Sequence, residues 1–364
     1  MLLEGIFAPV TTPFYPDERI YFRKIEANMA RYSRSLLAGM VVLGSTGEAV
    51  ALDDAETRDV LRASVDAAAP EKVLIAGVGR ESVRATLDLA EFAATLNYDA
   101  VLVRPPSYYG AQISPAAILH YFRSIADRSP LPVVLYYIPK FVPTQMSPEL
   151  IGELAQHSNI IGIKDSSGSV DRIQETVVAT QNAVRRTVEV TQVFEAATTR
   201  MLAPQREPKS ERRSEAHSNA AATFVSAGDL ASGIAAVATA PPTAALKTRN
   251  RELGFQVLTG SERSILASLE AGASGAIVAF ATFAPQATQE IYLAWKDHDL
   301  KLAEEKQQRI HAAGVRILGA FGLAGIKYAC DFNGYYGGHP RRPILPLSAE
   351  QKAEIEGLLV EIRN

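Results

Sequence analysis

The chain has 364 residues and a formal net charge of -3, with 47% hydrophobic and 21% charged residues. This composition is typical of a globular protein with a large apolar core, and the small acidic excess argues against nucleic acid as a partner. A single cysteine, Cys330, excludes an internal disulfide framework and a cysteine-ligated metal site.

The sequence carries no membrane or export signal that we recognise. No apolar run reaches the length needed to span a membrane. The first residues, Met1-Leu2-Leu3-Glu4, have neither the basic-then-apolar layout of a signal peptide nor the arginine-rich character of a transit peptide. We therefore expect a cytoplasmic protein.

Eight short apolar segments alternate with amphipathic helical segments. The predicted strands are Gly5–Val10, Gly39–Leu43, Val73–Val78, Ala100–Val103, Val133–Tyr136, Ile160–Ile163, Phe255–Leu258 and Gly275–Phe280. Each is almost continuously apolar, which is typical of strands covered on both faces. Their alternation with helices predicts an α/β fold, a (β/α)8 TIM barrel. A doubly wound sheet is the alternative, but no Gly-x-Gly-x-x-Gly motif follows the first strand.

The C-terminal part of the chain shows helical patterns only. These lie at about Thr288–Lys296, Lys301–Gly319 and Leu323–Phe332. We therefore expect a barrel domain over residues 1–284, followed by a helical extension over residues 285–364.

A long segment interrupts the alternation between the sixth helix, predicted at about Val170–Val184, and the seventh strand. A loop of roughly 2–6 residues is usual there. Instead, an insertion spans about 187–246; its charged first part is predicted to be disordered, and its Ala-rich second part to hold a short helix. It should lie at the N-terminal face of the barrel, away from an active site. It is either a docking or regulatory element, or a tolerated insertion or gene-model artefact.

Three chemically useful features follow predicted strands. Lys164 ends the sixth strand, Tyr136 ends the fifth, and the turn Gly44–Glu48 follows the second. A lysine ending an apolar strand is costly to bury as a cation, and a neutral amine forms Schiff bases with ketones. A nearby phenol can relay protons, and a turn rich in N–H groups and hydroxyls suits a carboxylate. Each feature alone also has a purely structural interpretation.

These segments resemble the signature blocks of the dihydrodipicolinate synthase / N-acetylneuraminate lyase superfamily, which are class I pyruvate-dependent aldolases. The matching blocks are Pro9–Phe14, Gly44–Glu48, Tyr136–Pro139, Gly162–Gly168 and Gly272–Gly275. The resemblance covers the chain except roughly 187–246. It implies a TIM barrel, small-molecule substrates (pyruvate and an aldehyde), no metal or other cofactor, and a homotetramer built from tight dimers.

The resemblance assigns the catalytic roles residue by residue. Lys164 forms the Schiff base with pyruvate, and Tyr136 is the proton shuttle. Ser45 and Thr46 hold the pyruvate carboxylate and continue the hydroxyl relay. Tyr109 matches a tyrosine that reaches the active site of a neighbouring subunit.

Three further substrate contacts are implied by the resemblance. Ser166 matches a hydroxyl that meets the aldehyde partner in several members. Gly260 and Ile277 fall at positions whose backbone lines the pyruvate pocket.

Phe141 bears on which member of the superfamily this is. Dihydrodipicolinate synthases usually carry an arginine there, which binds the carboxylate of aspartate semialdehyde. A phenyl ring cannot form the bidentate bonds of a guanidinium, and Lys140 offers only a point charge one residue away. Dihydrodipicolinate synthesis is therefore the less favoured reaction.

Other blocks resemble aldolases that cleave 4-hydroxy-2-oxo acids. Phe255–Ser261, Gly325–Asp331 and Gly334–Gly338 resemble 4-hydroxy-2-oxoglutarate aldolases, and Pro105–Tyr109 resembles 2-keto-3-deoxy sugar-acid aldolases. We therefore expect cleavage of such an acid to pyruvate and an aldehyde. Dihydrodipicolinate synthase and a catalytically inactive binding relative remain the alternatives.

Overall fold

The computed structural model describes residues 1–191, 195–203 and 246–362. Within them the strands are β1 (Gly5–Pro9), β2 (Gly39–Val42), β3 (Val73–Gly77), β4 (Ala100–Val103), β5 (Val133–Tyr137), β6 (Ile160–Asp165), β7 (Arg186–Thr191), β8 (Glu195–Ala196), β9 (Thr248–Leu253), β10 (Gln256–Thr259) and β11 (Gly275–Ile277). Strands β1–β6, β10 and β11 are parallel and form a closed barrel, with β1 between β2 and β11. The predicted (β/α)8 TIM barrel is confirmed.

Helices surround this barrel. They are α1 (Phe22–Ser33), α2 (Asp54–Ala67), α3 (Val83–Thr95), α4 (Pro115–Ala126), α5 (Pro148–Leu154), α6 (Val170–Thr180), α7 (Thr199–Leu202), α8 (Ile265–Glu270), α9 (Pro285–Lys296), α10 (Leu300–Ala313), α11 (Gly322–Phe332) and α12 (Ala349–Leu359). Side-chain caps fix where several begin. Asp53 and Glu56 form a capping box on α2, and the hydroxyls of Ser82, Ser114 and Ser169 cap α3, α4 and α6.

The C-terminal helices differ from the prediction in two details. The long predicted helix Lys301–Gly319 is α10 followed by a π-helical turn, Gly314–Ala320. Helix α12 was missed because its apolar residues form no pronounced stripe, although Ser348 and Gln351 supply a capping box. Helix α9 packs against β1 of the barrel and against α10. A domain division at residue 285 stays a prediction.

Strands lie at or beside both ends of the insertion, and these strands were not predicted from the sequence. Strands β8, β7 and β9 form an antiparallel sheet in that order. Helix α6 ends at Thr180 rather than at Val184, because the following residues turn the chain into β7. The predicted disordered part and Ala-rich helix fall on residues 204–245, outside the described residues.

The small sheet lies at the N-terminal face of the barrel, as predicted. Val190 and Leu253 are buried in one apolar cluster with Leu2 and Leu3. The Asp99 carboxylate, just before β4, accepts the N–H groups of Thr199 (2.6 Å) and Leu74 (2.8 Å). The described residues of the insertion and the adjoining strand β9 therefore pack at the end of the barrel opposite the expected active site.

Apolar side chains fill the part of the barrel interior away from the C-terminal strand ends. Side chains from alternating strand positions meet there, including the fully buried Phe7, Val41 and Ile75. Towards the C-terminal strand ends, Tyr136 and Lys164 are direct neighbours in the register of β5 and β6. The fold thus places the two predicted catalytic side chains side by side.

Candidate active site

Lys164 lies in β6 at the C-terminal end of the barrel. Its side chain is buried (4% exposed), and its Nζ lies 4.3 Å from the centroid of the Tyr136 ring. Among the described residues, no carboxylate lies within ion-pairing distance of Nζ. The amine is therefore not held in a salt bridge and stands beside a phenol.

Tyr136 connects the lysine to the turn after β2. Its hydroxyl lies 3.3 Å from the Ser45 hydroxyl, in the 3-10 turn Ser45–Gly47. The Thr12 hydroxyl stabilises that turn, because it donates to the Gly47 carbonyl at 2.7 Å. The Lys164 amine thus lies against the Tyr136 ring, and the contact between the Tyr136 and Ser45 hydroxyls is one that a proton relay can use.

A cavity of about 240 Å³ opens over these groups. All but one of the predicted site residues line it: Ser45, Thr46, Tyr136, Lys164, Ser166, Gly260 and Ile277. A larger cavity of about 840 Å³ adjoins it and shares Ser45, Tyr136 and Phe141. The smaller cavity suits a three-carbon acid, and the larger one leaves room beyond it.

Gly260 is required by a close approach between two strand ends. A Cβ atom at this position would lie 2.0 Å from the Ser166 hydroxyl oxygen. A backbone bond from Gly260 N to the Asp165 carbonyl at 2.6 Å ties these two segments, and a bond from Ser166 N to the Tyr137 carbonyl at 2.8 Å ties the Ser166 segment to β5. Any side chain at residue 260 would therefore displace Ser166 from the cavity wall.

Tyr109 is the one predicted site residue that does not line the cavity of its own chain. It is 60% exposed and packs edge-on against Tyr108, with the ring centroids 5.0 Å apart. Neither of the two adjoining cavities includes it in its lining. Its assignment to the active site of a neighbouring subunit stays a prediction.

Asp165 has a structural role. It is 1% exposed and pairs with the Arg172 guanidinium at 2.8 Å. Its other oxygen accepts the Ser167 N–H at 2.8 Å. With both oxygens occupied, this carboxylate orders the loop after β6.

A buried ion pair behind the Ser45–Gly47 turn was not predicted. Glu48 is 3% exposed and Lys327, in α11, is 1% exposed. The Lys327 amine donates to the Glu48 carboxylate and to the Thr12 carbonyl (2.9 Å), and the second Glu48 oxygen accepts the Arg341 N–H at 2.8 Å. Burial lowers the pKa of Lys327, although the Glu48 carboxylate acts in the opposite direction. The pair ties the turn to the C-terminal helices.

Removing one partner of this pair should be costly. Lys327→Met leaves the Glu48 carboxylate buried without its counter-charge, which destabilises a protein by about 3–5 kcal/mol. Urea denaturation should show that loss, and the additional change Glu48→Gln should recover part of it. Lys301→Met, on the exposed side of α10, is the matched control and should stay within about 0.5 kcal/mol of wild type. Equal effects of the two lysine changes would contradict the role of the pair.

Glu262 is a second residue that was not predicted from the sequence. It lines the catalytic cavity, is 8% exposed, and lies 3.8 Å from the Arg263 guanidinium. Burial raises the pKa of Glu262.

The described residues contain no helix long and apolar enough to cross a membrane. They also contain no group of three or more His, Cys, Asp or Glu side chains arranged to hold a metal ion.

Comparisons with known proteins place the chain in a family. The sequence model of the dihydrodipicolinate synthetase family matches residues 2–185 and 232–362. L-threo-3-deoxy-hexylosonate aldolase of Hypocrea jecorina is 30% identical over 359 residues, covering 97% of this chain and 93% of the relative. The "Probable 4-hydroxy-2-oxoglutarate aldolase, mitochondrial" of Emericella nidulans is 37% identical over 181 residues, covering 48% of this chain and 59% of the relative.

A solved structure agrees on the fold. YagE of E. coli K12, a prophage protein of the dihydrodipicolinic acid synthase family in complex with pyruvate, superposes with a TM-score of 0.75. The two chains are 24% identical, and the match covers 100% of this chain and 99% of the other. The sequence blocks, the barrel, the family model and the full-length aldolase relative agree, and the chain belongs to the dihydrodipicolinate synthetase family.

Proposed function

We propose that this chain is a Schiff-base-forming, pyruvate-dependent aldolase that cleaves a 4-hydroxy-2-oxo acid to pyruvate and an aldehyde. Candidate substrates are 4-hydroxy-2-oxoglutarate and 2-keto-3-deoxy sugar acids. The observation that carries the proposal is the meeting of Lys164, Tyr136 and Ser45 at one cavity. Membership of a family of class I aldolases and lyases supports it.

Lys164 supplies the nucleophile. Its amine attacks the C2 ketone of the substrate, water leaves, and the protonated imine that forms withdraws electrons from C3. This imine is the electron sink for the reaction, so the chemistry requires no metal and no other cofactor.

Tyr136 and Ser45 move the protons. As the imine forms, the Tyr136 phenol gives its proton to the departing water. The resulting phenolate, which lies beside the Ser45 hydroxyl, then takes the proton of the substrate's C4 hydroxyl as the C3–C4 bond breaks and the aldehyde leaves. The bond's electrons reside on the enamine, whose C3 carbon then takes up a proton. Water hydrolyses the resulting imine, which releases pyruvate and restores the Lys164 amine.

The turn after β2 orients the substrate. Ser45 and Thr46 line the cavity beside Lys164, and their hydroxyls and backbone N–H groups suit the pyruvate carboxylate. Fixing that carboxylate presents the C2 ketone to the amine, which is an orientation effect on the rate. Gly260 and Ile277 complete the wall of the pocket, and Ser166 faces the part of the substrate that becomes the aldehyde.

The rim of the cavity favours an aldolase over a dihydrodipicolinate synthase. Phe141 stands at the rim and is 61% exposed, where the synthases are expected to carry a carboxylate-binding arginine. Lys140 points its amine to within 5.6 Å of the Phe141 ring centroid. Lys140 and Arg263 line the cavity as well, and they keep condensation with aspartate semialdehyde as the second candidate.

A substrate panel tests this choice. It compares kcat/KM for 4-hydroxy-2-oxoglutarate, 2-keto-3-deoxygluconate, N-acetylneuraminate, and pyruvate with aspartate semialdehyde. An unpaired charged group costs on the order of 1–3 kcal/mol, so we expect cleavage of a 4-hydroxy-2-oxo acid to be at least about tenfold better than the semialdehyde reaction. A preference of wild type for the semialdehyde would contradict the substrate assignment.

Phe141→Arg should reduce the difference in kcat/KM between the 4-hydroxy-2-oxo acid and aspartate semialdehyde. The guanidinium restores a bidentate partner for the semialdehyde carboxylate, so kcat/KM for that substrate should rise. Phe141→Leu is the matched control, because it removes the ring without adding a charge, and it should leave the difference unchanged. Equal behaviour of the two variants would mean that another group binds the semialdehyde carboxylate.

We further propose a homotetramer built from tight dimers, located in the cytoplasm. The exposed rings of Tyr108 and Tyr109 support burial against another subunit, since two adjacent exposed aromatic residues are typical of interfaces. Analytical ultracentrifugation tests the assembly. Location is tested separately, because one relative is named as mitochondrial.

A further inference from the structure

The Glu81 carboxylate binds the loop that leads to Tyr109 at several points, in addition to the Thr144 hydroxyl, which donates to the Pro106 carbonyl at 2.8 Å. One oxygen of Glu81 accepts the backbone N–H groups of Ser107 (2.8 Å) and Tyr108 (3.0 Å). The other oxygen accepts the Ser107 hydroxyl at 2.9 Å and the Arg104 guanidinium at 2.9 Å. Four donors from the segment that precedes Tyr109 thus converge on a single side chain.

Glu81 is itself fixed by the helices behind it. The backbone N–H of the preceding residue, Arg80, donates to the Thr86 hydroxyl at 3.0 Å. The buried Tyr121 hydroxyl donates to the Arg80 carbonyl at 2.7 Å and lies 3.1 Å from the Thr86 hydroxyl. Helices α3 and α4 therefore determine where the Glu81 carboxylate stands.

The charge of Glu81 persists at working pH. Partial burial raises the pKa of Glu81, but the N–H groups of Tyr108 and Ser107 and the guanidinium of Arg104 lower it more, to about 2. Since this pKa lies below the unfolded value, the contribution of the carboxylate is present above about pH 4 and is lost only as the pH falls towards 2. The loop is therefore held equally at all pH values at which an aldolase would be assayed.

Glu81 does not touch the substrate space. It lines neither the cavity over Lys164 nor the larger adjoining one, whereas Arg104 and Ser107 of the loop line the larger one. Any effect of Glu81 on turnover must then pass through the loop. The loop leads directly to the exposed Tyr109, which a single chain leaves outside its own site.

We propose that Glu81 is a positioning residue, which fixes the Ser107–Tyr109 loop so that the Tyr109 hydroxyl enters the active site of a neighbouring subunit. This inference rests on the proposed aldolase function. It adds that the geometry of Tyr109 is determined by the turn after β3 of its own chain, through bonds to backbone N–H groups that do not depend on the side chains at residues 107 and 108.

A double-mutant cycle on the full-length protein tests the proposal. Misplacing a catalytic group by about 1 Å can cost on the order of 100-fold, so Glu81→Ala should lower kcat about 10- to 100-fold. Tyr109→Phe should lower kcat by at least as much. When Glu81→Ala is added to Tyr109→Phe, kcat should fall by less than about a further threefold. The reason is that the loop affects kcat only through the Tyr109 hydroxyl, which this variant has already lost.

Three controls separate positioning from general damage. The fraction of chains that form a borohydride-reducible pyruvate adduct should be unchanged in Glu81→Ala, since Lys164 is untouched. Glu81→Gln, which keeps the side-chain shape and one acceptor oxygen, should have an intermediate kcat and covers the case in which the alanine variant folds poorly. Glu91→Gln, at an exposed carboxylate on α3, is the matched control and should behave like wild type.

If the decrease in kcat of the double variant equals the product of the two single decreases, the proposal is wrong. A wild-type kcat in either Glu81→Ala or Tyr109→Phe would also overturn it. A wild-type protein that forms no pyruvate adduct would instead contradict the proposed aldolase function. The two claims therefore fail in distinguishable ways.

Discussion

Replacing Lys164 with arginine abolishes turnover of every 4-hydroxy-2-oxo acid substrate. Arginine retains the positive charge and most of the length of the side chain, but its guanidinium does not form an imine. Lys164→Ala should be equally inactive, although it leaves empty the volume of a side chain that is only 4% exposed. Steady-state assays of both variants, with circular dichroism to establish folding, measure the effect.

The matched control is Lys140→Arg. Lys140 lines the same cavity but is exposed at its rim, so this variant should still form the pyruvate adduct. Activity of Lys164→Arg above a few per cent of wild type would contradict the Schiff-base mechanism.

Tyr136→Phe separates binding from proton transfer. The ring against the Lys164 amine is kept, and only the hydroxyl that faces Ser45 is lost. General acid–base groups contribute roughly 10²–10⁴-fold, so turnover should fall at least about a hundredfold while pyruvate is still trapped on the lysine. Single-turnover kinetics measure the slower turnover, and adduct formation on the same preparation measures the retained trapping of pyruvate.

The neighbouring residue provides the control. Tyr137 follows Tyr136 in β5, and its hydroxyl donates to the Gln145 side chain at 2.9 Å. Because alternate strand residues face opposite sides of the barrel wall, Tyr137→Phe removes a hydroxyl that is not part of the cavity lining and should turn over at close to the wild-type rate. If Tyr136→Phe were as fast as wild type, another group would have to carry the proton.

The barrel could be predicted because its strands are buried on both faces. Continuous apolar runs such as Val133–Tyr137 are a local signal, and the closed parallel topology follows from their alternation with helices. The position of Lys164 followed from the same rule, since strand C-termini meet at one face of the barrel. The residues that line the small cavity therefore come from the ends of several strands that are far apart in the sequence.

Other features depend on pairings that sequence periodicity does not report. Glu48 and Lys327 are 279 residues apart, and only the packing of α11 behind the β2 turn makes them partners. Strand β9, Thr248–Leu253, is almost wholly exposed, so it has no apolar run to predict it; its pairing with β7 defines it. The position of Tyr109 relative to a site depends on a second subunit.

Reductive trapping measures directly whether Lys164 forms an imine with pyruvate. Wild-type protein is incubated with pyruvate and sodium borohydride, digested, and its peptides are analysed by mass spectrometry. We expect one reduced pyruvate adduct, on the peptide that contains Lys164, which is absent without borohydride and absent from Lys164→Arg. No adduct, or an adduct on another lysine such as Lys140, would contradict it.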